Sequence, residues 1–440
     1  MVSKLWCMAI ALAMTGLLAS GAAGEVDPDL QEMRETVDQL REQVERQQQQ
    51  LDEQAEFLAG SETQVSDEEE SGSGSGLSTF LEAAEVHAWI NVNYTYNSRG
   101  NSNDHLIGQN SNTGFHEDSH TFQVDQLWFQ IDKPVSSESR AGFHADIAFG
   151  ETARSEIGFA GNDAVTVYSA YASFLAPMGY GGVRFDAGEL WTLLGAEVVP
   201  VSENLNITRG MVWNLQPVTN TGAIATTNFG PVSVSFGLVN AVVSDTATDS
   251  DRDKALTGRI AFEAEKWSIA GSFIHGSKLG ALEDSKTPLD PDEPDGPFFP
   301  VNKDRNKTDL GVFDLVVAGD PAENITAYLN FDYVWSHPGG APNESTYGVA
   351  VAGRYGVSDV MGLSMRFEMV IIDPSNKESE EEYSLTTTVD YLITDNLTAR
   401  GEMRFDWGID GKYHKAGDPY AFTGGANHQN LFLAEVIYSF

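Results

Sequence analysis

"VHAWINVNYTY", residues 86–96, changes character at every step: Val86, Ala88, Ile90, Val92, Tyr94 and Tyr96 fall on one face, and His87, Trp89, Asn91, Asn93 and Thr95 on the other. A period of two marks a β-strand that separates apolar from polar surroundings. The pattern recurs along the chain. Ala141, Phe143, Ala145, Ile147 and Phe149 oppose Arg140, His144 and Asp146, and Ile325, Ala327, Leu329, Phe331, Tyr333 and Trp335 oppose Thr326, Asn330 and Asp332. Near the end, Leu397, Ala399, Met403, Phe405 and Trp407 oppose Arg400, Glu402, Arg404 and Asp406. Runs of about ten to thirteen residues suit a tilted bilayer crossing better than the shorter strands of soluble sheets.

The connectors alternate in length. Phe229-Gly230-Pro231, Ala264-Glu265-Lys266, Gly319 to Glu323 and Thr394-Asp395-Asn396 are short, while polar stretches near 98–118, 150–163, 192–219, 277–307 and 409–427 are long. About 16 strands fit, with short turns on one rim and longer loops on the other, and an even count returns both ends to the short-turn side. The expected fold is an all-β transmembrane barrel of about 16 antiparallel strands over 85–440, preceded by a short α-helical coiled coil. In hydrocarbon every backbone N–H and C=O needs a partner; a closed barrel supplies it between strands and leaves the inner face free to be polar. The chain ends "LFLAEVIYSF", with Phe432, Ala434, Val436, Tyr438 and Phe440 alternating up to the last residue. A terminal aromatic preceded in this way looks like the insertion signal of bacterial outer-membrane barrels.

The N-terminal residues set the compartment. Lys4 precedes an apolar run from Leu5 to Leu18 that closes in small residues, so residues 1–24 read as a secretory signal peptide cleaved after Gly24. The single cysteine, Cys7, lies inside it, which excludes a disulfide framework. Asp27-Pro28 reads as a helix start. Leu30, Val37, Val44, Leu51 and Leu58 then take heptad position a, and Met33, Leu40, Gln47 and Gln54 take d. Residues 25–59 are therefore expected to form a periplasmic coiled coil, hence an oligomer, although glutamine at two d positions weakens the seam. Residues 60–84, acidic and then Gly/Ser-rich, read as a flexible linker.

Acids outnumber bases by 65 to 26, a formal charge of −39, which argues against nucleic acid as a partner. Acids crowd 283–297 and 377–383, expected as solvated outer loops; divalent cations bridging them to surface glycolipid is the sharper alternative. Bases instead recur on predicted inner faces: Arg140, Arg184, Arg354, Arg366, Arg400 and Arg404. Facing lipid, each would cost about 2–4 kcal/mol at the midplane. Several alternate with Asp186, Glu368, Glu402 and Asp406, forming either a transverse field across the pore or structural ion pairs. No catalytic motif, phosphate-binding loop or paired-cysteine spacing is present, and no cofactor is expected. His116 and His120 read as solvated loop residues rather than a metal pair.

The segment 188–223, "GELWTLLGAEVVPVSENLNITRGMVWNLQPVTNTGA", with "QLWFQIDKP" before it and "GLVNA" after it, resembles the second of the bacterial β-barrel porin families. The family pattern falls on Gly188, Trp191, Thr192, Gly195, Glu197, Thr208, Arg209, Pro217 and Thr221-Gly222; Asn220 stands where the pattern has His. A coiled-coil arm before such a barrel is similar to the DcaP-like trimeric porins. The resemblance implies a homotrimer in the outer membrane, in contact with its lipid and surface glycolipid, that passes small hydrophilic solutes. Residues 192 to about 219 form the third long loop, which in many porins folds inward and narrows the channel. Leu193, Val198, Ile207, Met211 and Trp213 are then expected on an inner wall, and Glu197, Glu203 and Arg209 at the aperture, with Arg209 either an ion-paired anchor or a solute contact. The other reading is a non-conducting structural or adhesive barrel with a periplasmic tethering arm.

Overall fold

The computed structural model describes residues 84–98, 113, 115–116, 119–154, 165–179, 181–242, 254–276, 308–338, 342–376, 378–408 and 428–440. The expected signal peptide, the heptads and the linker up to residue 83 lie outside the described residues, as do most of loop 98–118 and all of 277–307 and 409–427. Sixteen strands follow one another: Glu85–Asn97 (β1), Thr121–Lys133 (β2), Ala141–Phe149 (β3), Val165–Ala176 (β4), Val183–Trp191 (β5), Thr219–Phe229 (β6), Val232–Val239 (β7) and Ala255–Glu263 (β8) form the first half. Trp267–Gly276 (β9), Thr308–Ala322 (β10), Ile325–Pro338 (β11), Glu344–Ser358 (β12), Met361–Pro374 (β13), Glu380–Thr394 (β14), Leu397–Gly408 (β15) and His428–Ser439 (β16) complete it. One short helix, Glu151–Arg154 (α1), follows β3. No described helix is long and apolar enough to cross a membrane.

Each strand pairs antiparallel with its sequence neighbours, and β16 pairs with β1, closing the barrel. The last residue takes part in the closure: the Phe440 N–H donates to the Ala88 carbonyl at 2.9 Å and the Ala88 N–H to the Phe440 carbonyl at 3.2 Å. The alternation read along the chain is the alternation of faces. On β15, Met403, Phe405 and Trp407 are exposed outward while Arg400, Glu402, Arg404 and Asp406 are buried within. Bulges shift the register at Asn91/Val92, Asp146/Ile147 and Gly319/Ala322, which period-two reading cannot foresee.

Three expectations are corrected. The acidic stretch 377–383 is not all loop: residues from Glu380 onward belong to β14, and Glu382 is buried on its inner side. His116 is fully buried rather than solvated, with Nε2 3.5 Å from Asp125, whereas His120 is exposed and lies edge-on to Tyr96. Nor is the inner face polar all round. From β7 to β13 it carries Val239, Ala255, Ile274, Leu310, Val312, Val334, Ala350, Val370 and Ile372.

Gly188 shows how local backbone freedom shapes the wall. Its φ of +147° is open to glycine, and a Cβ there would collide with the Ala170 carbonyl oxygen across the β4–β5 pair. Gly188→Ala is expected to destabilise the barrel by about 1–3 kcal/mol. A lower denaturant midpoint, read from the loss of the heat-resistant folded band on gels, checks this; an unchanged midpoint contradicts it.

Candidate functional site

Residues 192–218, between β5 and β6, are fully described, contain two short 3-10 turns (Val201–Glu203 and Trp213–Leu215) and fold inward. Their apolar side chains divide between opposite parts of the wall. Leu194, Met211, Val212 and Leu215 pack on the apolar inner face of β7–β13. Val199, Val201 and Trp213 pack with Trp89, Phe115, Trp128 and Tyr168, and Ile207 with Leu431 and Leu433 of β16. Of the expected wall contacts, Leu193 is partly buried and Met211, Trp213 and Ile207 are buried, but Val198 is exposed.

A loop in this position brings unpaired peptide groups with it, and inward side chains of the wall meet them. The Glu402 carboxylate accepts the N–H groups of Ile207 (2.6 Å) and Thr208 (3.1 Å) and the Thr208 hydroxyl (2.5 Å). Glu368 accepts from Val212 N–H at 3.1 Å. Arg366 donates to the Thr208 carbonyl at 2.7 Å and pairs with both Glu368 and Glu197. Arg404 donates to the Arg209 carbonyl at 2.7 Å while paired with Asp406. Arg400 reaches the carbonyls of Asn204 and Val201 and pairs with Glu435. On the opposite side Arg259 and Ser272 both donate to the Leu193 carbonyl at 2.9 Å. Hydrogen bonds to charged groups contribute about 1.5–3 kcal/mol each. Ordering a backbone residue costs about 1–2 kcal/mol, so anchors and apolar burial together are needed to hold a loop of this length.

Arg209, the only base in the loop, is fully buried. Its guanidinium donates to the carbonyls of Val198 and Val199 and lies 4.9 Å above the Phe115 ring. Burial pulls its pKa below the ordinary arginine value, yet a guanidinium stays protonated with a wide margin. It is a staple that ties the loop to itself through main-chain oxygens. Glu197 caps the Gly210 N–H at 2.7 Å and faces Arg366. Burial raises its carboxyl pKa against the opposing pull of Arg366. Gly210 leaves room for this junction, since a Cβ there would run into the Glu368 carboxylate. His116 is pushed down to about 4 by burial and is therefore neutral near pH 7.

Arg140, Arg184 and Arg354 lie toward the short-turn rim. Arg140 is exposed just before β3, and Arg184, half exposed, pairs with Asp186 at 2.8 Å. Arg354 grips Asp390 with two bonds of 2.6 and 2.8 Å. Glu203 stands exposed on the loop. Sequence reading missed an inner aromatic stack: Trp89 on Trp128 (5.4 Å), Trp128 on Tyr168 (5.3 Å) and Tyr168 on Trp191 (5.9 Å), with the indoles of Trp128 and Trp191 both donating to Asp146. Trp89 was visible on the polar face of its strand, but its juxtaposition with Trp128, Tyr168 and Trp191 needs the strand register.

Among the described residues no group of three His, Cys, Asp or Glu side chains is placed to hold a metal. The chemistry of the site is that of a lined and partly filled barrel.

Known proteins agree with this architecture. In fold the chain is similar to the outer-membrane expressed OmpT of Vibrio cholerae (TM-score 0.51), covering 81% of this chain and 97% of that one at 12% identity. It is likewise similar to the outer membrane channel DcaP of Acinetobacter baumannii (0.54; 81% and 97%; 12% identity). The anion-selective porin from Comamonas acidovorans is a third (0.54; 81% and 99%; 12% identity). At such identity these likenesses concern the fold. No curated protein matches in sequence. The profile described as "Putative beta-barrel porin-2, OmpL-like" matches residues 84–440, and the chain therefore belongs to this family of β-barrel porins.

Proposed function

We propose that this outer-membrane porin is a passive diffusion channel for small hydrophilic solutes, working as a homotrimer, with residues 192–218 narrowing its lumen. The observation that carries the reading is a loop held inside a closed barrel by wall side chains on β13 and β15. Preorganised, hydrogen-bonded constrictions are how channels set size and polarity limits without moving parts. The heptads at Leu30, Met33, Val37, Leu40, Val44, Leu51 and Leu58 support the trimer, as a periplasmic coiled coil following the barrels' own association.

The wall arginines act chiefly as anchors in this reading. Arg366, Arg400 and Arg404 each carry a carboxylate partner, so their fixed charges largely cancel. Arg140 and Glu203, exposed at the rim and on the loop, are among the described charges available to bias ions. The non-conducting reading has an observation in its favour too: Arg209, Arg366 and Arg404 are completely buried, as in a plugged barrel.

Conductance separates the two. In planar bilayers the purified protein is expected to give stepwise currents, and a silent membrane contradicts the channel. Deleting residues 196–212 is expected to raise single-channel conductance about twofold or more, because a constriction dominates the resistance of a short pore. Unchanged current refutes the narrowing.

Glu402→Ala removes three bonds to Ile207 and Thr208 at once. It is expected to leave the barrel folded but raise current noise and the rate of proteolytic nicking near residues 202–212, since a locally released loop opens more often. Parent-like noise and nicking would show the anchor to be dispensable.

A further inference from the structure

On β10 and β11 the inserted loop is held differently from its anchors on β13 and β15: the wall side chains there are two acids without a base. Asp314 and Asp332 are cross-strand partners, and both are fully buried on the inner side. Side chains directly opposite on neighbouring strands have Cβ atoms about 4.5–5.5 Å apart. One nitrogen, Nδ2 of Asn330, donates to both carboxyls, to Asp314 at 2.6 Å and to Asp332 at 3.1 Å. The loop is tied to the same group. Nε2 of Gln216 donates to Asp332 at 2.6 Å and to Oδ1 of Asn330 at 3.2 Å, and the Ala196 N–H donates to that Oδ1 at 3.2 Å.

The surroundings do little to compensate two charges. β9 brings Ser272 opposite Asp314, β12 brings Gly348 opposite Asp332, and the loop brings Gly195, Ala196 and Gln216, none of which titrates. Arg259 of β8 is the base that faces Asp314, but its Nη1 is given to the Leu193 carbonyl at 2.9 Å. Oδ1 of Asp314 has no hydrogen-bond partner. Two adjacent carboxyls that are desolvated and have no base in contact do not both ionise, so the docked arrangement keeps one proton between them.

We propose that this proton is a latch on the inserted loop: while Asp314 and Asp332 share it, Ala196 and Gln216 stay docked on β10–β11, and its loss as the pH rises frees that end of the loop. Release lets water reach the carboxyls, and a hydrated carboxyl titrates near pH 4. Above that range the released state therefore binds one proton fewer than the docked state. By linkage each further pH unit favours release by up to about tenfold, until the docked pair itself ionises. The anchors Arg366–Glu368 and Arg404–Asp406 join acid to base, so the same change of pH leaves them closed. The latch concerns how firmly the loop is held and is independent of whether the barrel conducts.

Backbone amide exchange in the purified full-length protein tests it, measured from about pH 5.5 to 8 and corrected for the intrinsic rate. Protection at residues 194–197 is expected to fall about fivefold or more per pH unit while amides within β11 keep theirs. Asp332→Asn retains an acceptor for Gln216 and leaves one ionisable group, so the same residues are expected to stay protected across the range. Protection at 194–197 that does not change with pH in the parent overturns the latch, as does an Asp332→Asn variant that keeps the parent's slope. Should that variant fail to fold, Asp314→Asn, which leaves the Gln216 bond untouched, is measured in its place with the same two outcomes.

Discussion

A peptide group taken out of water must find another partner, and this constraint acts twice in the molecule. At the membrane it closes the barrel, down to the pair of hydrogen bonds between Phe440 and Ala88 at the seam. Inside, it acts on the loop between β5 and β6, whose amides and carbonyls have no neighbouring strand. The wall meets them with charged side chains: carboxylates of Glu402 and Glu368 for N–H groups, guanidiniums of Arg366, Arg400 and Arg404 for carbonyls. Glu368 and the three arginines each have an opposite charge beside them, and Glu402 is met by four hydrogen bonds from Ile207, Thr208 and Thr388, so burial does not leave these groups uncompensated.

Apolar packing settles which way the loop lies. The inner face of β7–β13 carries an apolar patch among its polar groups, and Leu194, Met211, Val212 and Leu215 cover it. Polar anchors alone would suit several placements; the apolar patch suits one. Arg209 then locks the inner turn through the Val198 and Val199 carbonyls and the Phe115 ring, a self-contained clasp independent of the barrel's ion pairs.

Much of this was legible in the sequence. Period-two patterning, alternating connector lengths and the terminal aromatic predict the sixteen strands, and arginines alternating with acids on "LTARGEMRFDW" predict an inward face on β15. The third long loop was recognised from its place in the order of strands and from low charge. What stayed hidden depends on distance across the barrel. No local signal pairs Glu402 with Ile207 and Thr208, or Arg366 with Glu197, because these contacts join segments far apart in the chain. Strands such as "WSIAGSFIHG" are weakly polar on both faces, so the apolar half of the interior could not be told from a lipid-facing side. Asn93 looked like an ordinary inward polar residue, although its amide finds no hydrogen-bond partner among the described residues.

The account stands on residues 206–212 being fixed to the wall in the folded barrel, and amide hydrogen exchange reads that directly. The N–H groups of Ile207, Thr208, Gly210 and Val212, bonded to Glu402, Glu197 and Glu368, are predicted to exchange as slowly as amides within β13 and β15. Exchange at the rate of unprotected peptide groups, with the strands still protected, would contradict it.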